Sequence, residues 1–169
     1  CLPEFLNQIE PTSFESDQMT KSTVLITSAT GRIGKELVAR LGADAKLHVR
    51  ACYFSEAKAE GLLALGADEV VKFDLSDPAT WEKALEGVSA VYSASLDPML
   101  EGHLAFCKEL GRRKDHIKHV VRISCMGADT NTASYIADQH ASREGAGIPL
   151  MLQHYWWGEK ALIDEGLNV

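Results

Sequence analysis

Seven consecutive residues, Ser28-Ala29-Thr30-Gly31-Arg32-Ile33-Gly34, are the part of this chain best suited to chemistry. They follow the apolar, β-branched run Thr23-Val24-Leu25-Ile26 and precede Ile33, Leu37, Val38 and Leu41 at helical spacing. Glycines in a turn between strand and helix let backbone come close to a phosphate. The start of the helix adds free N–H donors and the positive end of a dipole. The segment therefore reads as a pyrophosphate cradle, with Thr27, Ser28, Thr30, Gly31, Arg32, Ile33 and Gly34 as candidate residues. It has two of the three glycines of the dinucleotide fingerprint, and Ser28 stands in the first position. If that position needs a positive φ, serine costs about 1–3 kcal/mol there. A tight turn with no ligand is the plainer alternative.

The end of the second strand selects the cofactor. An acid there grips the ribose 2′-OH of NAD, and a cation accepts the 2′-phosphate of NADP. Tyr53, Phe54 and Ser55 include no acid, and Arg32 and Lys58 are the nearby cations. This favours NADP over NAD, with solvated helix surface as the alternative role of Arg32 and Lys58. Other chemistries are poorly supplied. Cys1, Cys52, Cys107 and Cys125 form no CxxC pair, and His116 and His119 lack further ligands for zinc. Reduced thiols in an intracellular compartment are expected.

The elements that must position the turn follow from the pattern. Strands are predicted at 23–26, 47–53, 69–73, 88–93 and 119–124. Helices are predicted after Gly31, after Ser55 as cap, after Asp77-Pro78, from Pro98 to Leu110 with a stop at Gly111, and over 151–165. Strands alternating with helices of about ten residues make a doubly wound α/β parallel sheet with helices on both faces. Residues 1–21 lack periodicity and read as an extension or linker, and 22–169 as the folded domain. Residues 126–150 read as a long loop, which in a compact domain is usually functional or mobile.

The composition fits such a domain. Hydrophobic residues are 46% of 169 and the formal net charge is −7. That charge disfavours nonspecific nucleic-acid binding and docking on anionic membranes. No apolar run approaches the ~18 residues of a membrane span.

Val24 to Gly34 resembles the opening of atypical short-chain dehydrogenases, specifically the NmrA-like group. Val49-Arg50-Ala51, Phe73-Asp74-Leu75-Ser76-Asp77, Leu85-Glu86-Gly87-Val88, Val121-Arg122-Ile123-Ser124 and Gly158-Glu159-Lys160-Ala161-Leu162 continue the resemblance in order. It implies a Rossmann-like domain binding NADPH at the first turn, with Asp74 and Leu75 beside the adenine. Ser93, Ala94 and Ser95 would line the cofactor after the fourth strand, and Ser124 after the fifth. Asp74 has a plainer alternative role, capping the following turn. Relatives in this group normally continue into a sixth strand and a smaller substrate-binding part. On that comparison the sheet is truncated as its sixth strand begins, at Leu167-Asn168-Val169.

The broader superfamily reduces carbonyls with Tyr-x-x-x-Lys, the tyrosine moving the proton and the lysine supporting it. No tyrosine here has a lysine four residues on. Alignment of the last helix puts Met151 at the tyrosine position and Tyr155 at the lysine position. Tyr155, Trp156 and Trp157 cannot all face one side of a helix. Either they pack the helix with one ring at the surface, or they form an aromatic wall for a flat ligand or an anchor for a protein partner. Three functions therefore compete: an NADPH-binding redox sensor or scaffold, an oxidoreductase passing hydride directly to a quinone-like acceptor, and an accessory or assembly subunit of a larger complex. A protein partner covering the sheet edge or the aromatic row is a further expectation. So is a cytoplasmic or organellar location, plastid or mitochondrion, after removal of a targeting segment.

Overall fold

The structure is a computed structural model that describes residues 21–95, 99–125, 128 and 150–169, the last helix by backbone alone at 150–153. The readings of 1–21 as an extension and of 126–150 as a loop fall outside these residues, apart from 21, 128 and 150.

Five parallel strands form one sheet: β1 (Ser22–Ile26), β2 (Leu47–Tyr53), β3 (Glu69–Lys72), β4 (Val88–Ser93) and β5 (His119–Arg122). Their order across the sheet is β3-β2-β1-β4-β5. The chain runs outward from β1 to one side, then returns to continue on the other. The point where the order reverses is therefore the gap between β1 and β4, above the carboxyl ends of the strands.

Period-two alternation explains why both faces of the sheet are buried. Leu25 of β1 enters a core with Val91, Phe106, Leu110, Val120 and Leu162. Its neighbour Ile26 enters a second core with Val38, Val49, Ala51 and Leu62. Helices α1 (Arg32–Gly42) and α2 (Ala59–Ala64) cover the second core. Helices α3 (Trp81–Leu85), α4 (Leu100–Arg112) and α5 (Leu150–Asp164) cover the first. The Phe106 ring meets Phe73 and Trp81 edge-on, with centroids 5.1 and 5.3 Å away.

Arg50 ties β2 to α3. Its Nη1 donates to the carbonyls of Ala84 and Glu86 at 3.0 and 2.6 Å, and its Nε to Glu69 at 2.7 Å. The guanidinium thus satisfies the carbonyls that the end of a helix leaves unpaired.

Several boundaries differ from expectation. Ser55 makes no side-chain cap, because a 3₁₀ turn at Glu56–Lys58 comes before α2. Asp77 does cap, accepting from the Ala79 N–H at 3.1 Å. Helix α4 begins at Leu100 and passes through Gly111 to Arg112. Gly111 is not a stop: a Cβ there would lie 2.5 Å from the Glu165 carboxylate, so it serves the close approach of the segment after α5. Strand β5 ends at Arg122, although Ile123 still donates to the Ser93 carbonyl. Beyond α5, Val120 of β5 donates to the Asn168 carbonyl at 2.8 Å.

Candidate functional site

The turn after β1 is anchored by its two hydroxyls. Thr27 Oγ1 donates to the Tyr92 carbonyl at 3.1 Å and accepts from the Ala94 N–H at 3.2 Å. Ser28 Oγ donates to the Ala94 carbonyl at 3.0 Å. Ser28 therefore does a positive job in the turn, stitching the ends of β1 and β4 together where the sheet order reverses. Gly31 caps α1 in an extended conformation (φ −76°, ψ 172°), so the left-handed backbone is not what it supplies. Gly34 has a steric reason. A Cβ at this position would sit 2.0 Å from the Ser28 carbonyl oxygen, so only glycine lets α1 seat on the turn. No side chain caps α1. Its first-turn N–H groups have no partner within the helix and remain available to an anion.

A cleft of about 500 Å³ opens over this turn, at the carboxyl ends of the strands. Thr27, Ser28, Thr30, Gly31, Arg32, Ile33 and Gly34 form its floor. Phe54 and Cys52 from the end of β2, and Phe73, Asp74 and Leu75 from the end of β3, line one side. Ala94, Ser95, Tyr92, Met99, Ile123 and Tyr155 line the other. Of the residues singled out in the sequence, Lys58, Ser93 and Ser124 do not reach the cleft. Lys58 stands exposed on the 3₁₀ turn, Ser93 is 2% exposed within β4, and Ser124 is exposed beyond β5.

Asp74 lines the cleft while its carboxylate serves its own loop. Oδ1 accepts from the Ser76 hydroxyl at 2.6 Å and the Ser76 N–H at 2.8 Å, and these bonds hold the carboxyl below its usual range. The capping role weighed for Asp74 is thus present. Cys52 is buried, and burial pushes its thiol far above the ordinary range, so it is an apolar wall residue at neutral pH.

Reading the sequence missed a buried polar cluster behind the β4–β5 side. Arg122, last residue of β5, donates from Nη1 to Ser95 Oγ at 3.1 Å, and the same nitrogen lies 3.4 Å from His103 Nδ1. Its guanidinium carbon lies 5.7 Å from the centroid of the Tyr155 ring. Its Nε has no partner among the described residues. An arginine only donates, so His103 Nδ1 must accept and Nε2 carries the proton. That proton faces the Gly158 carbonyl at 3.3 Å, with Cys107 Sγ also 3.3 Å from Nε2. Burial and the Arg122 charge lower the His103 pKa to about 4, so the ring is neutral. Of the aromatic row, Tyr155 turns to the cleft, while the Trp156 and Trp157 rings meet edge-on at 4.5 Å.

The donor set fits a dinucleotide. An uncapped helix end, hydroxyl-bearing backbone and flanking apolar walls suit a pyrophosphate with an aromatic base on each side. Sheet order and cleft position together define a Rossmann-type nucleotide-binding protein. Residues 28–166 match the family model described as NAD(P)H-binding, and the chain belongs to that family. Its cofactor is accordingly a nicotinamide dinucleotide, and the resemblance to atypical short-chain dehydrogenases holds.

Two curated relatives are similar. The prestalk A differentiation protein A of Dictyostelium discoideum is 32% identical over 114 residues, covering 65% of this chain and 37% of its own. The sanguinarine reductase of Eschscholzia californica is 35% identical over 107 residues, covering 60% and 38%. An NADPH-dependent quinone oxidoreductase from Escherichia coli superposes with a TM-score of 0.58 at 26% identity, covering 85% of this chain and 44% of that one. The chain spans little more than a third of the length of these curated relatives. Among the described residues no helix is long and apolar enough to cross a membrane.

Proposed function

We propose that this protein binds NADPH and uses it to reduce a flat aromatic acceptor of the quinone class. The observation that carries the reading is the cleft itself. It runs from the phosphate turn to an apolar end lined by Met99, Ile123 and Tyr155, where a planar ring can lie. The names of two relatives, a sanguinarine reductase and a quinone oxidoreductase, point the same way. The preference for NADP is supported by Arg32 at the cleft and by the absence of an acid at Tyr53, Phe54 and Ser55.

The bound cofactor would be held by the backbone of Ser28 to Gly34 and would supply a hydride. The protein's own part is to cradle the pyrophosphate on α1, to keep water off the apolar end and to orient the acceptor. Titration of the full chain with NADPH and NADH, followed by NADPH oxidation over a quinone panel, tests this. Tight NADPH binding with turnover of at least one quinone is expected. Lack of NADPH binding at millimolar concentration overturns it.

The missing Tyr-x-x-x-Lys pair favours a second reading, a redox sensor that reports the NADPH/NADP⁺ balance without turnover. Binding of both forms with no reduction of any quinone selects it.

A further inference from the structure

The geometry points to Tyr155 as the proton donor to the acceptor and to Arg122 as the residue that positions it, with Ser95 as a second hydrogen-bonding group. This inference rests on the reductase reading above.

The direction of the bound cofactor places these residues at its reactive end. The pyrophosphate belongs at the start of α1, and the adenosine side of such a cleft is the end of β2. Phe54, Asp74 and Leu75 lie on that side. A nicotinamide would then be received at the other side, by the ends of β4 and β5, where Ser95, Ile123 and Tyr155 line the wall. Among the cleft residues on that side, Tyr92, Ser95 and Tyr155 carry hydroxyls. Tyr92 is 8% exposed and its body packs in the core with Ile26 and Val38.

One guanidinium serves both remaining groups. Arg122 donates to Ser95 Oγ at 3.1 Å and stands 5.7 Å from the Tyr155 ring centroid. With its hydroxyl oxygen accepting from Arg122, Ser95 is left to direct its own O–H elsewhere. The environment keeps the arginine in place. His103 accepts on one side, and a Cβ at Gly158 would lie 2.5 Å from Nη2, so only glycine admits the guanidinium beside α5. Among the described residues, Glu159 of α5 is the acid whose charge acts on Arg122, and His103 is neutral.

The step balances. Tyr155 breaks its O–H bond and gives the proton to one acceptor oxygen. Bound NADPH would supply the accompanying hydride, and with it the two electrons that turn the quinone into a hydroquinone and leave NADP⁺. Water then returns a proton to the phenolate. Arg122 offsets the negative charge that Tyr155 carries in between, the task that a lysine performs in the missing pair.

The test uses the full chain with NADP(H) and 1,4-naphthoquinone. Calorimetry with the NADP⁺-loaded protein measures quinone affinity without turnover, and stopped-flow oxidation of NADPH measures the chemistry. Tyr155→Phe keeps the ring and should leave NADP⁺ affinity within twofold, weaken quinone binding about fivefold and lower kcat by roughly a hundredfold. Arg122→Met should lower kcat with little change in KM, and Arg122→Lys should recover most of it. A merely structural arginine would instead move thermal stability alone. Wild-type kcat and quinone affinity in Tyr155→Phe overturn the proposal, and so does an unchanged kcat in a folded Arg122→Met. NADPH binding without quinone reduction by the wild-type chain overturns this inference and leaves cofactor binding intact. Failure to bind NADPH removes the reading on which it rests.

Discussion

Gly34 and Arg50 show how single residues set the cleft and the frame around it. Gly34→Ala would place a methyl group 2.0 Å from the Ser28 carbonyl, and backbone rather than a flexible side chain would have to give. The expected result is a loss of about 2 kcal/mol or more in stability, together with loss of NADPH binding. A thermal melt and a cofactor titration on the same sample check both. Arg50 is 9% exposed and holds the carbonyls at the end of α3. Arg50→Met keeps much of the apolar stem but leaves those carbonyls without their donor and Glu69 with His48 alone, 3.4 Å away. Glu69 retains some solvent, so the cost should fall near the lower end for a broken buried pair, about 3 kcal/mol. Urea unfolding of the variant against the wild type measures it. Cofactor affinity should hold, because Arg50 does not line the cleft.

At the scale of elements, β5, α4 and α5 are clasped by Arg122, His103 and the Gly158 carbonyl. His103 is fully buried and its pKa falls from 6.5 to about 4 in the fold. The unfolded chain therefore takes up a proton at higher pH than the native one. Stability from this group is complete above about pH 6.5 and is lost as pH falls toward 4. The loss amounts to roughly 3 kcal/mol over that window. The carboxylates of Asp68, Asp74, Glu69 and Glu109, whose pKa values are lowered, give up their contribution only below their own ordinary range. Chemical denaturation at pH 7.5 and pH 5 should thus separate the two effects. His103→Gln, which cannot titrate, should flatten the change between these pH values. This clasp was hidden in the sequence for a physical reason. Its members lie 19 and 55 residues apart, and no local spacing marks a histidine whose partners come from another strand and another helix. The phosphate turn was legible because strand, glycines and helix are contiguous. Lys58 and Ser124 stand outside the cleft lining, and this was not legible, because the direction of a cation or serine near a strand end depends on a 3₁₀ turn or on where a strand stops. Tyr155 stood out as one of three aromatics and as the residue at the family's lysine position, and the helix phase that turns it inward is a tertiary outcome.

For the molecule as a whole, a parallel sheet of five strands with helices on both faces was readable from the alternation, whereas the order β3-β2-β1-β4-β5 came only with the structure. The split into two cores follows from β1, where Leu25 and Ile26 face opposite ways. A ligand spanning the gap between β1 and β4 should bind the folded state alone and stabilise all of it. At a hundredfold excess over its dissociation constant, NADPH should add about 2.7 kcal/mol. For a domain of this size that corresponds to a rise in Tm of roughly 5–10 °C. A melt across a series of NADPH concentrations would show the rise continuing logarithmically. A flat series would mean that the cleft does not take the cofactor.

The stitches that shape the turn join residues far apart in the chain. Thr27 and Ser28 bond to Tyr92 and Ala94 over separations of 65 to 67 residues. A nascent chain that has not yet delivered β4 can form β1, α1 and β2, but its phosphate cradle has nothing to lean on. Capture of the dinucleotide is therefore a late event in synthesis. It would pull forward only chains whose β4 has already docked beside β1, and so act as an internal check that the two sides of the sheet have met.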